Sequence, residues 1–216
     1  STDAYPTMTH FLEHLAEILA REAQALVDVG IHIVQIDDPA LTYFCDPRLT
    51  SGAEIHDERL RRAWDIDKQF PEALAAINRV VDGIPVRTGV HVCRGNWSRD
   101  ERTLLRGSYA ALAPYLDRLR VTQLVLEHAT EGADGPRSFG GKELGLGVVN
   151  PRTDAVESSQ EIRALIDSAL EHYAPDQIFL NPDCGFGTFS NRPVNEVEVA
   201  TRKLEAMVEA AKTLRG

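Results

Sequence analysis

Apolar residues along the chain follow two different spacings. A helical spacing, with apolar side chains every three or four residues, occurs in five stretches: 7–29, about 57–82, 100–118, about 157–173 and about 192–214. Short apolar runs lie between these stretches, at 32–36, 86–93, 122–127, 144–149 and 177–181. Runs of this length that end at Gly, Pro or Asp are typical of buried strands. The pattern predicts one helix followed by five strands, each with a loop or helix after it.

Regular alternation of strands and helices predicts a parallel sheet with helical crossovers, and therefore an α/β fold. Neither a Gly-x-Gly-x-x-Gly turn nor a Gly-x-x-x-x-Gly-Lys loop follows any predicted strand, so nothing favours a nucleotide-binding doubly wound sheet. No linker-like or low-complexity stretch divides the 216 residues. We expect a single domain over 1–216.

The amino-acid composition limits the kinds of molecule that this chain could bind. The formal net charge is −10, which argues against nucleic acid, because phosphate binding needs clustered Lys and Arg. No apolar run reaches the length of a membrane span, and the N-terminus lacks the regions of a signal peptide. A cytoplasmic location is expected. Three cysteines at long spacing do not form a disulfide framework, so they are expected to be free thiols or metal ligands.

The residues that could carry chemistry follow the predicted strands. Asp37 follows the first strand, His91 and Cys93 close the second, Glu127 ends the third, and Cys184 follows the last. Carboxyl ends of parallel strands are where α/β sheets and barrels place their active sites. His91 and Cys93 are two residues apart and should point to the same face of a strand.

An imidazole, two thiolates and a carboxylate make a plausible tetrahedral zinc shell. Zinc with soft ligands binds an incoming thiol as its nucleophilic thiolate, which suits a sulfur substrate. The alternative from pattern alone is that Cys93 and Cys184 are small buried hydrophobic residues and that His91 is a hydrogen-bonded core residue.

Four short segments resemble a known family. In order they are 34–41 (VQIDDPAL), 90–97 (VHVCRGNW), 124–127 (LVLE) and 180–186 (LNPDCGF). Together they resemble the C-terminal catalytic barrel of cobalamin-independent methionine synthase and its shorter single-barrel relatives. The resemblance covers nearly the whole chain, and its most specific part is the Asn-Pro-Asp-Cys-Gly word.

The resemblance implies an eight-stranded (β/α)8 TIM barrel with a zinc ion bound by His91, Cys93, Glu127 and Cys184. In the family this zinc activates homocysteine for methylation by a folate, and the aspartate matching Asp37 binds the substrate amino group. The expected function is a zinc-dependent transferase that moves a methyl or other alkyl group onto a substrate thiol. The alternatives are a zinc hydrolase or lyase on the same barrel and a non-catalytic partial-barrel interaction module.

Two departures from the family concern the substrate. The synthases continue the segment at 36–41 with an Arg-Glu pair, whereas this chain has TYFCD at 42–46. Arg152 stands where the synthases have a histidine that resembles a general acid. An arginine cannot exchange a proton near neutral pH but binds anions well. Both departures point from a zwitterionic amino acid toward a thiol with an anionic tail, as in the branch that alkylates coenzyme M, and homocysteine is the alternative acceptor.

Further substrate-binding candidates are Asp38, Arg94 and Trp97. Arg94 could equally hold a structural carboxylate, and Trp97 could simply pack. Arg152 could instead pair with a carboxylate of its own loop, Asp154 or Glu157.

The third departure is length, because the first visible strand matches the fourth of the family's eight. The chain is expected to represent the last five β/α units, to lack the first three strands, and to need an N-terminal segment or another chain to complete the barrel. Four residues are not expected to bind metal: His128 should face away from Glu127, Cys45 has no second ligand nearby, and His10 and His14 should be surface residues of the first helix.

Overall fold

The computed structural model describes residues 4–51, 65–130 and 133–215. Its framework is a five-stranded sheet whose strands are β1 (Ile33–Asp37), β2 (Arg87–His91), β3 (Gln123–Leu126), β4 (Glu143–Val149) and β5 (Ile178–Pro182). They lie side by side in chain order, and every neighbouring pair is parallel. The five predicted strands and the α/β class are confirmed, with strand ends shifted by at most two residues.

The described part of the chain has three long helices besides the first. The first helix is α1 (Met8–Asp28), and the short α2 (Pro47–Thr50) comes after it. The three other long helices are α3 (Ile66–Val81), α5 (Ser159–Leu170) and α6 (Val197–Arg215), and the short α4 (Ala113–Leu116) lies between α3 and α5 in the chain. Residues 57–64 of the predicted second helix lie outside the described residues. No described helix is both long enough and apolar enough to cross a membrane.

The helix starts follow from capping chemistry. The side chain of Thr7 accepts a hydrogen bond from the backbone of His10 at the start of α1. Ser158 and Glu161 form a reciprocal capping box at the start of α5. Such contacts satisfy backbone N–H groups that have no partner within the helix.

The predicted helix over 100–118 is wrong. The segment forms two 3-10 turns, Glu101–Thr103 and Tyr109–Ala111, before α4 begins. The cause is a tertiary contact at Gly107, whose φ is +110° and whose backbone lies so close to Cys45 that a Cβ atom would be 1.9 Å from the Cys45 carbonyl oxygen. A continuous helix cannot contain this conformation.

The last predicted helix begins later than expected. Residues before it form a small antiparallel hairpin of β6 (Gly187–Phe189) and β7 (Arg192–Pro193), and α6 follows at Val197.

The apolar core lies between the sheet and the helices. Val90 and Val92 are fully buried in it, together with Leu124 and Leu126 of the next strand. Side chains alternate along a strand, so His91 and Cys93 point away from this core. The packing of the valines therefore directs the polar residues between them to the opposite face.

Candidate metal centre

Four side chains meet beyond the carboxyl ends of the strands. His91, Cys93, Glu127 and Cys184 each offer a ligand atom, and these atoms all lie within 4.8 Å of one another. His91 is the last residue of β2, Cys93 and Glu127 follow β2 and β3 closely, and Cys184 follows β5. The structure thus brings together the four residues that the sequence grouped.

The His91 ring is held in one orientation by the backbone. Its Nδ1 lies 3.1 Å from the carbonyl oxygen of Val125, which can only accept, so Nδ1–H donates and Nε2 carries the lone pair of the neutral ring. Nε2 is buried and has no hydrogen-bond partner within the described part of the chain. Metal-binding histidines have this arrangement, with one nitrogen donating to a carbonyl and the other free for the ion.

The two thiols are close but not bonded. The Sγ atoms of Cys93 and Cys184 are 3.7 Å apart, and both cysteines are free. Two sulfurs on one tetrahedral zinc, each at about 2.3 Å, would be about 3.8 Å apart. The hydrogen bond between the two thiols raises the pKa of Cys93 and lowers that of Cys184, which the His91 ring lowers further.

Glu127 has both carboxylate oxygens occupied. Its Oε1 accepts a hydrogen bond from the backbone N–H of Arg94 at 2.6 Å, and its Oε2 accepts one from Nη2 of Arg152 at 3.0 Å. Burial raises the pKa of the Glu127 carboxyl, and the positive charge of Arg152 offsets part of this effect, so that the pKa is about 7. Each oxygen of the carboxylate is therefore held by one hydrogen bond from the protein.

Arg152 is 1% exposed and faces Glu127. The two loop carboxylates that were the alternative partners are engaged elsewhere: Asp154 pairs with Arg99 at 2.8 Å and Glu157 with Lys203 at 2.9 Å. The described hydrogen bonds of the buried guanidinium go to Glu127, Gly95 and Thr130, which are groups of the protein itself.

Asp37 and Asp38 differ in their surroundings. Asp37 ends β1 in register with His91. Burial raises the pKa of its carboxyl, while the charge of His91 lowers it and that of Cys184 raises it. Asp38 instead caps the following 3-10 helix (Pro39–Phe44), accepting from the backbone of Ala40 at 2.9 Å. Of the two, Asp37 is the one that lies beside a proposed metal ligand.

Arg94 is a structural residue in its described contacts. Its guanidinium lies 4.3 Å from the ring centroid of Tyr109 and donates to the Gly107 carbonyl at 2.9 Å. Trp97 is 43% exposed. It lines a cavity of about 270 Å³ that also borders the β6–β7 hairpin at Phe189. Trp97 therefore remains a candidate for substrate contact, and Arg94 holds the loop that carries Cys93.

Sequence reasoning missed Asp183 and Thr130. Asp183 is fully buried and accepts hydrogen bonds from the backbone of His128 and Ala129 and from the Thr130 hydroxyl, at 2.9, 3.0 and 2.7 Å. The Asn-Pro-Asp-Cys-Gly segment could have identified Asp183, because an aspartate directly before Cys184 is well placed to fix the turn that carries this cysteine.

The residues that were set aside lie in other contacts. His128 is buried with its Nδ1 2.7 Å from the Asp134 carbonyl, and Cys45 is buried with its thiol 3.4 Å from the Thr42 carbonyl. His10 and His14 contact Thr7 and Tyr5 at the start of α1.

Comparison with known proteins gives the family. Residues 7–213 match the family described as "Cobalamin-independent synthase, Catalytic domain". The methionine synthase of Pyrococcus furiosus is 33% identical over 214 residues, which are 98% of this chain and 52% of that protein. The methionine synthase of Saccharolobus islandicus is 29% identical over 205 residues, which are 93% of this chain and 50% of that protein. The chain thus spans about half the length of the curated relatives it matches.

A solved structure shares the fold. The B12-independent methionine synthase of a Shewanella species, in complex with selenomethionine, superposes with a TM-score of 0.71 at 21% identity over 99% of this chain and 57% of that one. The parallel strands β1 to β5 are therefore an arc of a TIM-barrel-type fold. The match over residues 7–213 establishes that the chain belongs to the cobalamin-independent synthase catalytic-domain family.

Proposed function

We propose that this chain carries the zinc site of a transferase that moves a methyl group onto a substrate thiol. The proposed ligands are His91, Cys93, Glu127 and Cys184. The observation that carries the proposal is the buried Nε2 of His91, which has no hydrogen-bond partner among the described residues and lies beside two free thiols 3.7 Å apart. The relatives named methionine synthase support transfer to a thiol.

The donor set suits sulfur chemistry. Zinc bound there would lower the pKa of an incoming thiol and hold it as a thiolate, the nucleophilic form. Two thiolate ligands weaken zinc as a Lewis acid, which disfavours activation of water for hydrolysis. A reducing cytoplasm, the expected location, would keep Cys93 and Cys184 free to serve as ligands.

Glu127 is the donor best suited to give way to the incoming thiol. The backbone N–H of Arg94 and the Arg152 guanidinium each hold one of its oxygens. They would also receive the carboxylate when it leaves the metal, so that no buried charge is left without a partner.

Asp37 supports an acceptor that carries an amino group. Its carboxylate lies beside His91 and Cys184, where it could hold a substrate ammonium close to the reacting sulfur. Since Arg152 is enclosed against Glu127, the case for an anionic tail on the substrate is weaker than the case for an amino group. We therefore propose homocysteine as the acceptor, with the methyl donor left to experiment.

Metal analysis of the purified chain tests the zinc site. We expect about one zinc per chain, and loss of most of it in Cys184→Ser, because thiolates contribute strongly to zinc affinity. Cys45→Ser is the matched control and should retain its zinc. A full zinc content in a Cys93→Ser, Cys184→Ser double variant would disprove the site.

X-ray absorption at the zinc K-edge tests thiol activation separately. We expect the first coordination shell to gain a sulfur neighbour when homocysteine is added. An unchanged shell with homocysteine and with other small thiols would contradict the proposed function even if zinc is bound.

A further inference from the structure

One buried guanidinium touches two of the loops that carry the proposed ligands. Nη2 of Arg152 donates to Oε2 of Glu127 at 3.0 Å and to the carbonyl oxygen of Gly95 at 2.7 Å. The backbone N–H of Gly95 in turn lies 3.2 Å from Sγ of Cys93. The same nitrogen of Arg152 therefore fixes the Glu127 carboxylate and the turn around Cys93.

A second branch reaches the loop of the fourth ligand. Nη1 of Arg152 donates to the Thr130 hydroxyl at 3.2 Å, and that hydroxyl donates to Oδ2 of Asp183 at 2.7 Å. Asp183 directly precedes Cys184. The planar fork of an arginine can hold such separate acceptors in a fixed geometry, which a lysine cannot.

Charge gives Arg152 a second role. A zinc ion with two thiolates, one carboxylate and a neutral imidazole carries one excess negative charge. Both Glu127 and Arg152 have fully buried side chains, so water does not screen this charge. Arginine stays protonated and has no lone pair for a metal, so it can neutralise the site without competing for the ion.

We propose that Arg152 is a positioning residue of the metal centre. It orients Glu127, connects the turns of Cys93 and Cys184, and offsets the excess negative charge of the ligand set. This inference rests on the proposed zinc site, and it assigns to Arg152 no contact with the substrate.

Competition for zinc with a coloured chelator measures the contribution of Arg152 to zinc affinity. Arg152→Gln should bind zinc about 10- to 100-fold more weakly than the unmodified chain, as expected when a partner of a metal ligand is removed. Arg152→Lys should recover part of the loss because it restores the charge. Arg163→Gln is the control: it removes an arginine that pairs with Asp167 on the surface of α5, and its zinc affinity should be unchanged.

A double-mutant cycle shows whether Arg152 acts through Glu127. The combined Glu127→Gln, Arg152→Gln variant should lose less zinc affinity than the product of the two single losses, by about fivefold or more. Cobalt substitution adds a readout that general destabilisation does not move. The visible absorption bands of bound cobalt should shift in Arg152→Gln and stay unchanged in Arg163→Gln.

If Arg152→Gln does not fold, Thr130→Val tests the second branch at nearly constant volume. It should also lower zinc affinity, while circular dichroism confirms the fold. An unmodified chain that binds no zinc would refute the proposed function. If the unmodified chain does bind zinc, two results would overturn the role of Arg152 alone. One is an unchanged zinc affinity in whichever of the Arg152 and Thr130 variants folds, and the other is additive losses in the double-mutant cycle.

Discussion

Cys93 and Cys184 are 91 residues apart in the chain, yet their sulfur atoms are 3.7 Å apart. The strands that precede them, β2 and β5, are separated in the sheet by β3 and β4. In a flat sheet this separation would be about 14 Å, since neighbouring strands lie about 4.8 Å apart. The two thiols can meet only because the sheet curves as a barrel wall does and the loops after its strands reach inward.

Cysteine alkylation should distinguish these thiols from the third one. In zinc-free protein, Cys184 should react first with iodoacetamide, because it is partly exposed and its pKa is lowered by the hydrogen bond from Cys93 and by His91. Cys45 should stay unmodified at pH 7.5, because burial raises the pKa of its thiol to about 11 and leaves almost no thiolate. Peptide mass spectrometry over time measures both.

Zinc provides the control for this experiment. Added zinc should slow the reaction of Cys184 and leave Cys45 as it was. Equal alkylation rates for the two cysteines in zinc-free protein would contradict the surroundings described for them.

The order of the elements and the grouping of the ligands could be predicted from local signals. Asp37, His91, Glu127 and Cys184 stand at strand ends, and parallel strands bring their carboxyl ends to one edge of a sheet. The absence of a continuous helix over 100–118 could not be predicted from such local signals. The apolar spacing of this segment is helical, and the approach of Gly107 to the Cys45 carbonyl, which breaks the helix, is a contact between distant segments.

The partners of Arg152 were hidden for the same reason. The sequence predicts that Arg152 holds an anionic substrate group, with Asp154 or Glu157 as the alternative, while the acceptors that it contacts come from the loops after β2 and β3. A lone arginine in a sequence has no pattern that marks it as buried. Only the three-dimensional placement of Gly95, Glu127 and Thr130 identifies where its side chain goes.

Substrate recognition by Asp37 should depend on the amino group of the acceptor. Asp37→Asn should weaken homocysteine binding about 10- to 100-fold, since a hydrogen bond to a charged group contributes about 1.5–3 kcal/mol. Binding can be followed by the absorption of the cobalt-substituted chain. Zinc content should not change.

A thiol of equal size without an amino group is the matched comparison. Its binding should be unaffected by Asp37→Asn. An equal loss for both thiols would mean that Asp37 shapes the edge of β1 and does not recognise the ammonium.

Asp46 should stabilise the fold in a pH-dependent way. Burial alone would raise the pKa of its carboxyl, but hydrogen bonds from the Arg48 side chain and from the backbone of Arg106 and Arg48 lower it overall. A lowered pKa means that the stabilisation is present above the unfolded value of about 3.9 and is lost as pH falls through the folded value. Asp46→Asn should lower the melting temperature at pH 7 by about 3–10 °C, and by less near pH 3.

Differential scanning calorimetry at the two pH values measures this difference. Asp167→Asn, which removes an exposed carboxylate paired with Arg163, is the control and should change the melting temperature little at either pH. A loss for Asp46→Asn that is as large at pH 3 as at pH 7 would show that shape, and not charge, is what Asp46 contributes.

Gly147 should be required for the turn that carries Cys184. A Cβ atom at this position of β4 would lie 2.2 Å from Oδ1 of Asp183 and 2.7 Å from the Leu126 carbonyl oxygen. That Oδ1 accepts the backbone hydrogen bonds of His128 and Ala129. Gly147→Ala should therefore displace Asp183, lower the free energy of unfolding by about 1–3 kcal/mol and weaken zinc binding.

Gly185→Ala is the matched control for this substitution, because Gly185 follows Cys184 directly and a Cβ there would meet no atom within 4 Å. It should leave both the melting temperature and the zinc affinity near those of the unmodified chain. Chelator competition and thermal unfolding on the two alanine variants separate the effects. If Gly147→Ala lost stability but kept its zinc affinity, Asp183 would serve packing and not the position of Cys184. If Gly147→Ala kept both its stability and its zinc affinity, the neighbouring backbone would be able to shift enough to accept a methyl group, and the position would not require glycine.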